Sequence, residues 1–289
     1  MRIFCDDLLL PEGPVMLDDG TLLVTELGLD RGCITLIAAD GATRRLIAKT
    51  GRPNGLAVDR EGTIWVAESL EPSVLRLGLD GESVVHATAC EGEPLLWPND
   101  ICVGPDGAIY VTDSGVSVTD FLDGDRPRAD YASLHLDGRV CRYDLGGGES
   151  RFLDRGLQFA NGIAFGPDEV LYVNETMTGN IYRYESVAGG RRELFGNVLD
   201  PDHDSRDLRG PDGMKFDAEG RLYVTVFGQG DVTVLDGCGR VIDRIATQGK
   251  APTNLAFGPA GSRTIYVVED ERGHVEVYDT PADGLPLHR

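Results

Sequence analysis

Basic residues are scarce in this chain: 27 lysines and arginines stand against 48 aspartates and glutamates, giving a formal charge of −21 over 289 residues. A nucleic acid or an anionic membrane requires clustered Lys and Arg, so neither is expected as a partner. Long apolar runs are also missing. No stretch approaches the ~18 residues of a membrane span, and acids interrupt the N-terminal "MRIFCDDLLLPEG" where a secretory leader would continue its apolar core. The expected location is cytoplasmic. The six cysteines, Cys5, Cys33, Cys90, Cys102, Cys141 and Cys238, contain no Cys-x-x-Cys pair, which leaves buried free thiols in place of a metal knuckle or redox motif. No segment sustains an apolar period of 3.6 residues, so helices should be few.

What the chain has instead is a repeat. "EGPVMLDDGTLLVTEL" from Glu12 returns as "NGLAVDREGTIWVAES" from Asn54 and "NDICVGPDGAIYVTDS" from Asn99. It returns again as "NGIAFGPDEVLYVNET" from Asn161, "DGMKFDAEGRLYVTVF" from Asp212 and "NLAFGPAGSRTIYVVED" from Asn254. The starts are separated by 42, 45, 62, 51 and 42 residues, near the ~40 to 50 residues of a four-stranded propeller blade. Each copy reads as a hairpin: a short apolar strand, an Asp/Gly turn and a strand of β-branched and aromatic residues. A second strand pair follows each, as in Ser73 to Thr88. The pattern predicts an all-β, single-domain, six-bladed β-propeller over residues 1–289, with four antiparallel strands per blade. The last unit has only three clear strands, so residues 2–6 are expected to supply its outer strand and close the ring.

In a propeller the first strand of each blade is innermost. The residues that begin it, Glu12, Asn54, Asn99, Asn161, Asp212 and Asn254, then converge at one mouth of the central channel, and every one carries a side-chain oxygen. A buried ring of amides and carboxylates needs a partner for its lone pairs. A hard divalent cation is the simplest one. The second strands run back to the same rim and end at Glu26, Glu68, Asp113, Glu175 and Glu269. These acids are expected to orient the inner ring or line the pocket mouth.

Glu-Gly-Pro at Glu12, Pro-Asn-Asp at Asn99, Asn-Gly-Ile-Ala-Phe at Asn161 and Pro-Asp-Gly-Met at Asp212 occur in order and at suitable spacing. By these motifs the chain resembles the senescence marker protein, gluconolactonase and luciferin-regenerating enzyme family. Its members are six-bladed propellers that hydrolyse lactones, with phosphofluoridate-hydrolysing relatives. The resemblance spans nearly the whole chain. It implies one divalent cation held by Glu12, Asn161 and Asp212, with Asn99 as a fourth ligand or a substrate contact. Asn54 and Asn254, like Glu26, Glu68 and Glu175, would support that set. Calcium, zinc, magnesium, manganese and iron(II) stay open. The implied chemistry is Lewis-acid activation of a lactone carbonyl and attack by water, with Asp212 favoured as general base beside Asn99. The implied partner is a small-molecule lactone, and a monomer or weak homo-oligomer is expected.

Some sugar-lactonase members carry Arg two residues before the Asn of the third blade, where this chain has Trp97. An indole offers apolar surface and one donor, which weakens the case for a polyhydroxylated lactone. An insertion from Val116 to Asp137 leaves the strand ending at Asp113 and is expected to form a lid or wall. Asp113, Phe121, Tyr131 and His135 then join Trp97 and Asn99 as substrate contacts. Asp202, His203 and Asp204, in the loop 200–213, also belong near the rim. Two alternatives share the pattern: a phosphotriester or phosphofluoridate hydrolase using the same site, and a non-catalytic propeller serving as a binding platform.

Overall fold

A computed structural model describes residues 1–185, 191–204 and 207–288. Six four-stranded antiparallel sheets follow one another around a ring. Their innermost strands are Pro11–Met16, Pro53–Val58, Pro98–Val103, Ala160–Phe165, Gly210–Phe216 and Pro252–Phe257. The innermost strands of neighbouring blades touch all the way round, and the last meets the first. The sixth sheet is completed by Arg2–Cys5, which pairs antiparallel with His274–Asp279. The expected closure is thus what the chain does. It satisfies an edge that a linear array of sheets would leave open.

Local sequence explains the strands. Second strands such as Ile64–Glu68 and Ile109–Asp113 are rich in β-branched and aromatic residues, which suit a pleated surface packed on both faces. The turn before each of them places a residue at positive φ: Gly20, Gly62, Gly107 and Gly220 lie between 74° and 82°, a region that glycine enters without a Cβ penalty. Glu169 takes that position in the fourth blade at φ 59°.

The core consists of six layers, one between each pair of adjacent sheets. Leu23, Ile34, Leu56 and Val66 join blades one and two, and Val24, Ile37, Val268 and Val275 join blades six and one. Fully burying side chains of this size contributes roughly 1.5–3 kcal/mol each. The insertion contains a short helix, Val118–Phe121, a two-residue hairpin and a 3₁₀ turn at Tyr131–Ser133. Among the described residues no helix is long and apolar enough to cross a membrane. All six cysteines are free: Cys5, Cys33, Cys90 and Cys141 are buried, Cys102 is half-buried and Cys238 is exposed. Residues 186–190, 205–206 and 289 lie outside the described residues, and with them part of the loop 200–213.

Candidate functional site

Every innermost strand carries a β-bulge at its start. The pairing register shifts between Glu12 and Val15, Pro53 and Leu56, Pro98 and Ile101, Ala160 and Ile163, Pro211 and Met214, and Pro252 and Asn254. A bulge leaves a residue unpaired and re-aims its side chain. All six ring residues fall inside or at the edge of these bulges: Asn54, Asn99, Asn161 and Asp212 inside, Glu12 and Asn254 at the edge. The strands begin one or two residues earlier than the repeats suggest, so the ring lies inside the channel and not on its lip. Glu12, Asn54, Asn99, Asn161 and Asn254 are all buried.

Glycine makes this crowding possible. A Cβ on Gly213 would meet the Asn254 side chain at 2.0 Å, and one on Gly162 would meet the Asp212 carbonyl at 2.2 Å. Hydroxyl and amide side chains then tie several blades to the next. Thr25 donates to the Asn54 carbonyl at 2.8 Å, Thr112 to that of Asn161 at 2.6 Å, Asn174 to that of Asp212 at 2.5 Å, and Thr253 to that of Pro11 at 2.8 Å.

Two amides of the ring are fixed in the same way. Asn99 donates its Nδ2 to Ser114 Oγ at 3.0 Å, and Asn161 donates its Nδ2 to Thr176 Oγ1 at 3.1 Å. With the NH₂ ends so anchored, the orientation of each amide is set. Both carbonyl oxygens, Asn99 Oδ1 and Asn161 Oδ1, are buried without a hydrogen-bond partner, a costly state for an amide oxygen. Beside them stand two carboxyls. Burial pushes Asp212 well above the usual carboxylate range and the charge of Glu12 adds to the rise, while the neighbouring Asn161 amide draws it partly back. Glu12 is raised by burial and then by Asp100, against hydrogen bonds from the Gly13 backbone and from Asn254 Nδ2 at 3.1 Å. Glu12, Asn161 and Asp212 are therefore brought together, with Asn99 on the adjoining blade.

Among the described residues no group of three His, Cys, Asp or Glu side chains is placed to hold a metal. A cation at the ring would depend on amide oxygens as much as on carboxylates. Two ionisable carboxyls and two orphaned amide oxygens, all oxygen donors, fit a hard divalent ion and no soft one.

The acids at the ends of the second strands hydrogen-bond to the backbone entering the innermost strands, nearer to the orienting role expected of them than to a place at the pocket mouth. Asp113 is fully buried and accepts the amides of Leu96 at 2.7 Å, Trp97 at 3.2 Å and Gly115 at 2.9 Å. Glu26 accepts from Leu9, Glu68 from Arg52, Glu175 from Gln158 and Glu269 from Ala251, at 2.6 to 2.8 Å. Each clamps the backbone entering an innermost strand. Asp113 is thereby removed from the substrate wall. Phe121 also leaves it, because its ring is buried against Trp97 and Phe159. His135 is exposed, Tyr131 is half-buried against Phe121, and Asp202 and Asp204 are exposed with His203 half-buried.

Trp97 lies in an apolar cluster with Val116, Phe121, Leu136 and Phe159, and its Nε1 is buried without a partner. Trp97 and Phe159 each stand two residues before a ring asparagine. The insertion that packs on them therefore sits on the site-bearing face, over blades three and four, as a lid or wall requires.

Asp100 belongs to the site and was not expected there. It is buried, its oxygens accept the amides of Ile101 at 2.9 Å and Ile163 at 3.3 Å, and burial raises its carboxyl against the charge of Lys215. A signal existed: four of the other repeats place glycine directly after the ring residue, and the third places Asp100. Asp270 is likewise pushed up to about 7, by burial and then by Glu269, and it bears on Asp212 through its charge.

Comparison with known proteins agrees with this architecture. A gluconolactonase from Zymomonas mobilis is 27% identical over 287 residues, covering 92% of this chain and 78% of that one. A solved gluconolactonase from Xanthomonas campestris superposes with a TM-score of 0.78 at 24% identity, over 96% of this chain and 89% of that one. A calcium-binding protein, regucalcin, from Agrobacterium tumefaciens gives 0.77 at 18% identity, over 100% and 97%. The family model for the SMP-30/gluconolactonase/LRE-like region matches residues 10–270, and on that match the chain belongs to this family.

Proposed function

We propose that this chain is a divalent-cation-dependent lactonase whose reaction centre is the ring mouth formed by Glu12, Asn99, Asn161 and Asp212. One observation carries the reading: two buried asparagine oxygens are left without partners beside the buried carboxyl of Glu12 and the half-buried one of Asp212. Glu12, Asn161 and Asp212 would hold the ion, with Asn99 either a fourth donor or a contact to substrate. A bound divalent cation supplies Lewis-acid polarisation of the ester carbonyl and charge stabilisation of the developing oxyanion, worth several kcal/mol.

The protein's own residues do the rest. The Ser114 and Thr176 anchors keep both amide oxygens turned inward, so the donor set is formed before substrate arrives. Asp212, the ring carboxyl that the family resemblance favours as base, would accept the proton of the attacking water, and its carboxyl, raised by burial and by the charge of Glu12, suits a proton acceptor. Asn254 holds Glu12 by one oxygen and leaves the other for the ion. The aromatic cluster around Trp97 and Phe121 screens one side of the mouth from water. Small-molecule lactones are the substrate class, and the excess of acids fits a protein with no nucleic-acid or membrane partner.

A panel of sugar and alkyl lactones, assayed after chelation and metal add-back, tests the proposal. Wild-type protein should turn over at least one class only with metal restored, and Asp212→Ala should lower kcat by about 100-fold or more. Equal turnover by Asp212→Ala, or turnover unaffected by chelator, would overturn the assignment.

A further inference from the structure

Arg52 and Trp97 hold the same place in consecutive repeats, two residues before a ring asparagine, in the sequences Arg-Pro-Asn and Trp-Pro-Asn. Around the mouth that place is taken by Leu10, Arg52, Trp97, Phe159, Gly210 and Pro252. Arg52 is its one charged member. The residue is 6% exposed, and its guanidinium carbon stands 5.2 Å from the centroid of the Trp97 ring. The guanidinium makes one hydrogen bond, from Nη1 to Ser69 Oγ at 3.2 Å. Among the described residues no carboxylate comes within ion-pair distance of it. The charges it feels are those of Asp125, at the tip of the insertion, then Asp270, Glu68 and the ring residue Glu12.

Such an arrangement is expensive unless something completes it. A guanidinium presents five donors in a planar fork, and a buried cation without a counter-ion carries a desolvation penalty of several kcal/mol. Ser69 and the indole face account for part of the fork and fix its plane. The remaining donors are left to an oxygen anion arriving from outside the chain. We infer that Arg52, stacked on Trp97, anchors an anionic group of the substrate, so that the preferred lactone carries a carboxylate in addition to its ring ester. This rests on the lactonase reading and adds the substrate class. Planar bidentate pairing is the geometry in which Arg binds carboxylates best, and Trp97, in the neighbouring repeat, becomes the platform for the arginine. The aromatic surroundings favour no second charge on the substrate at that wall.

Glucono-1,4-lactone and glucaro-1,4-lactone differ only in a hydroxymethyl against a carboxylate, and make a matched pair for the test. Metal-loaded wild-type protein should favour the glucaro form in kcat/KM. Arg52→Met should lower the glucaro-to-glucono ratio by about tenfold or more, chiefly through KM, as loss of a charge-assisted pair does. Arg52→Lys should lie between the two, because it keeps the charge without the fork. Calorimetric binding of glucarate against gluconate, in excess divalent cation, reads the same anchor without turnover: wild type should prefer the second carboxylate and Arg52→Met should not. A wild-type preference for neither ligand, or a preference that survives in Arg52→Met, would overturn the inference. Failure to hydrolyse either lactone while the glucarate preference holds would support the anchor and count against the hydrolase reading alone.

Discussion

Asn99 and Asn161 show how much of the site is decided by single side chains. In each the nitrogen is anchored and the oxygen is buried without a partner, so the amide is poised as a donor whatever fills the ring. The carboxyls beside them are the titrating part. Burial raises both, joined at Glu12 by the charge of Asp100, which takes it up to about 8, and at Asp212 by the charge of Glu12. The sign follows from linkage: at acid pH both are protonated in the folded and unfolded states, but as pH rises the unfolded chain releases these protons first. Folding stability from this pair is therefore full below the ordinary carboxylate range and lost as pH rises toward the raised values. Metal-free protein should lose thermal stability between about pH 5 and pH 8, and Asp212→Asn should be more stable relative to wild type at pH 8 than at pH 5. Differential scanning fluorimetry across that range checks it. The ring residues themselves were legible, because six repeats place a polar side chain at one position. Asp100 was open to the same comparison, since it interrupts a column of glycines, and so was Arg52, which reproduces the position of Trp97 one blade earlier. Neither stands out until the blades are stacked in space.

At the level of the strand and its hairpin, the fold repeats one device that no linear pattern discloses. An acid ending the second strand accepts the amide of the chain entering the first, 16 to 18 residues earlier in the sequence. From sequence these acids were expected to orient the inner ring or to line the pocket mouth, since strand ends and site share a rim. Their partners are backbone N–H groups, which carry no signature in side-chain identity. The fifth blade has Phe227 at the corresponding strand end, and there the entering segment is tied by Arg209, whose Nη1 donates to the Asp200 carbonyl at 2.8 Å. Asp113→Ala would leave three amides without their acceptor, two of them in the turn that presents Trp97 and Asn99. The expected loss is about 3–5 kcal/mol of folding stability, measured by urea unfolding; a change under about 1 kcal/mol would show that the clamp is dispensable. The bulges were equally hidden. They require two residues opposite one across a ladder, and sequence fixes the strand's existence more readily than its register.

For the molecule as a whole, the ring is what turns six weak signals into one site. Six inter-blade cores and the closing strand Arg2–Cys5 set the spacing of the innermost strands, and the polar residues converge because those strands do. This closure was readable from the repeat count and from the last unit lacking a strand. The opposite mouth was not. There the segment from Asp283 to His288 runs beneath the channel, held by Leu285 N donating to the Phe216 carbonyl at 2.9 Å and by Phe165 against His288. With Lys215 and the ends of the innermost strands it lines a cavity of about 560 Å³ that none of the ring residues touches. The polar ring thus belongs to the face roofed by the insertion. The central claim, that side chains of separate blades grip one cation together, is tested most directly by calorimetric titration of chelator-treated protein with calcium, magnesium, manganese and zinc. The account predicts one equivalent bound, with affinity lowered about tenfold or more in Asn161→Ala and in Asp212→Ala while circular dichroism stays unchanged; absence of binding, or equal affinity in both variants, would contradict it.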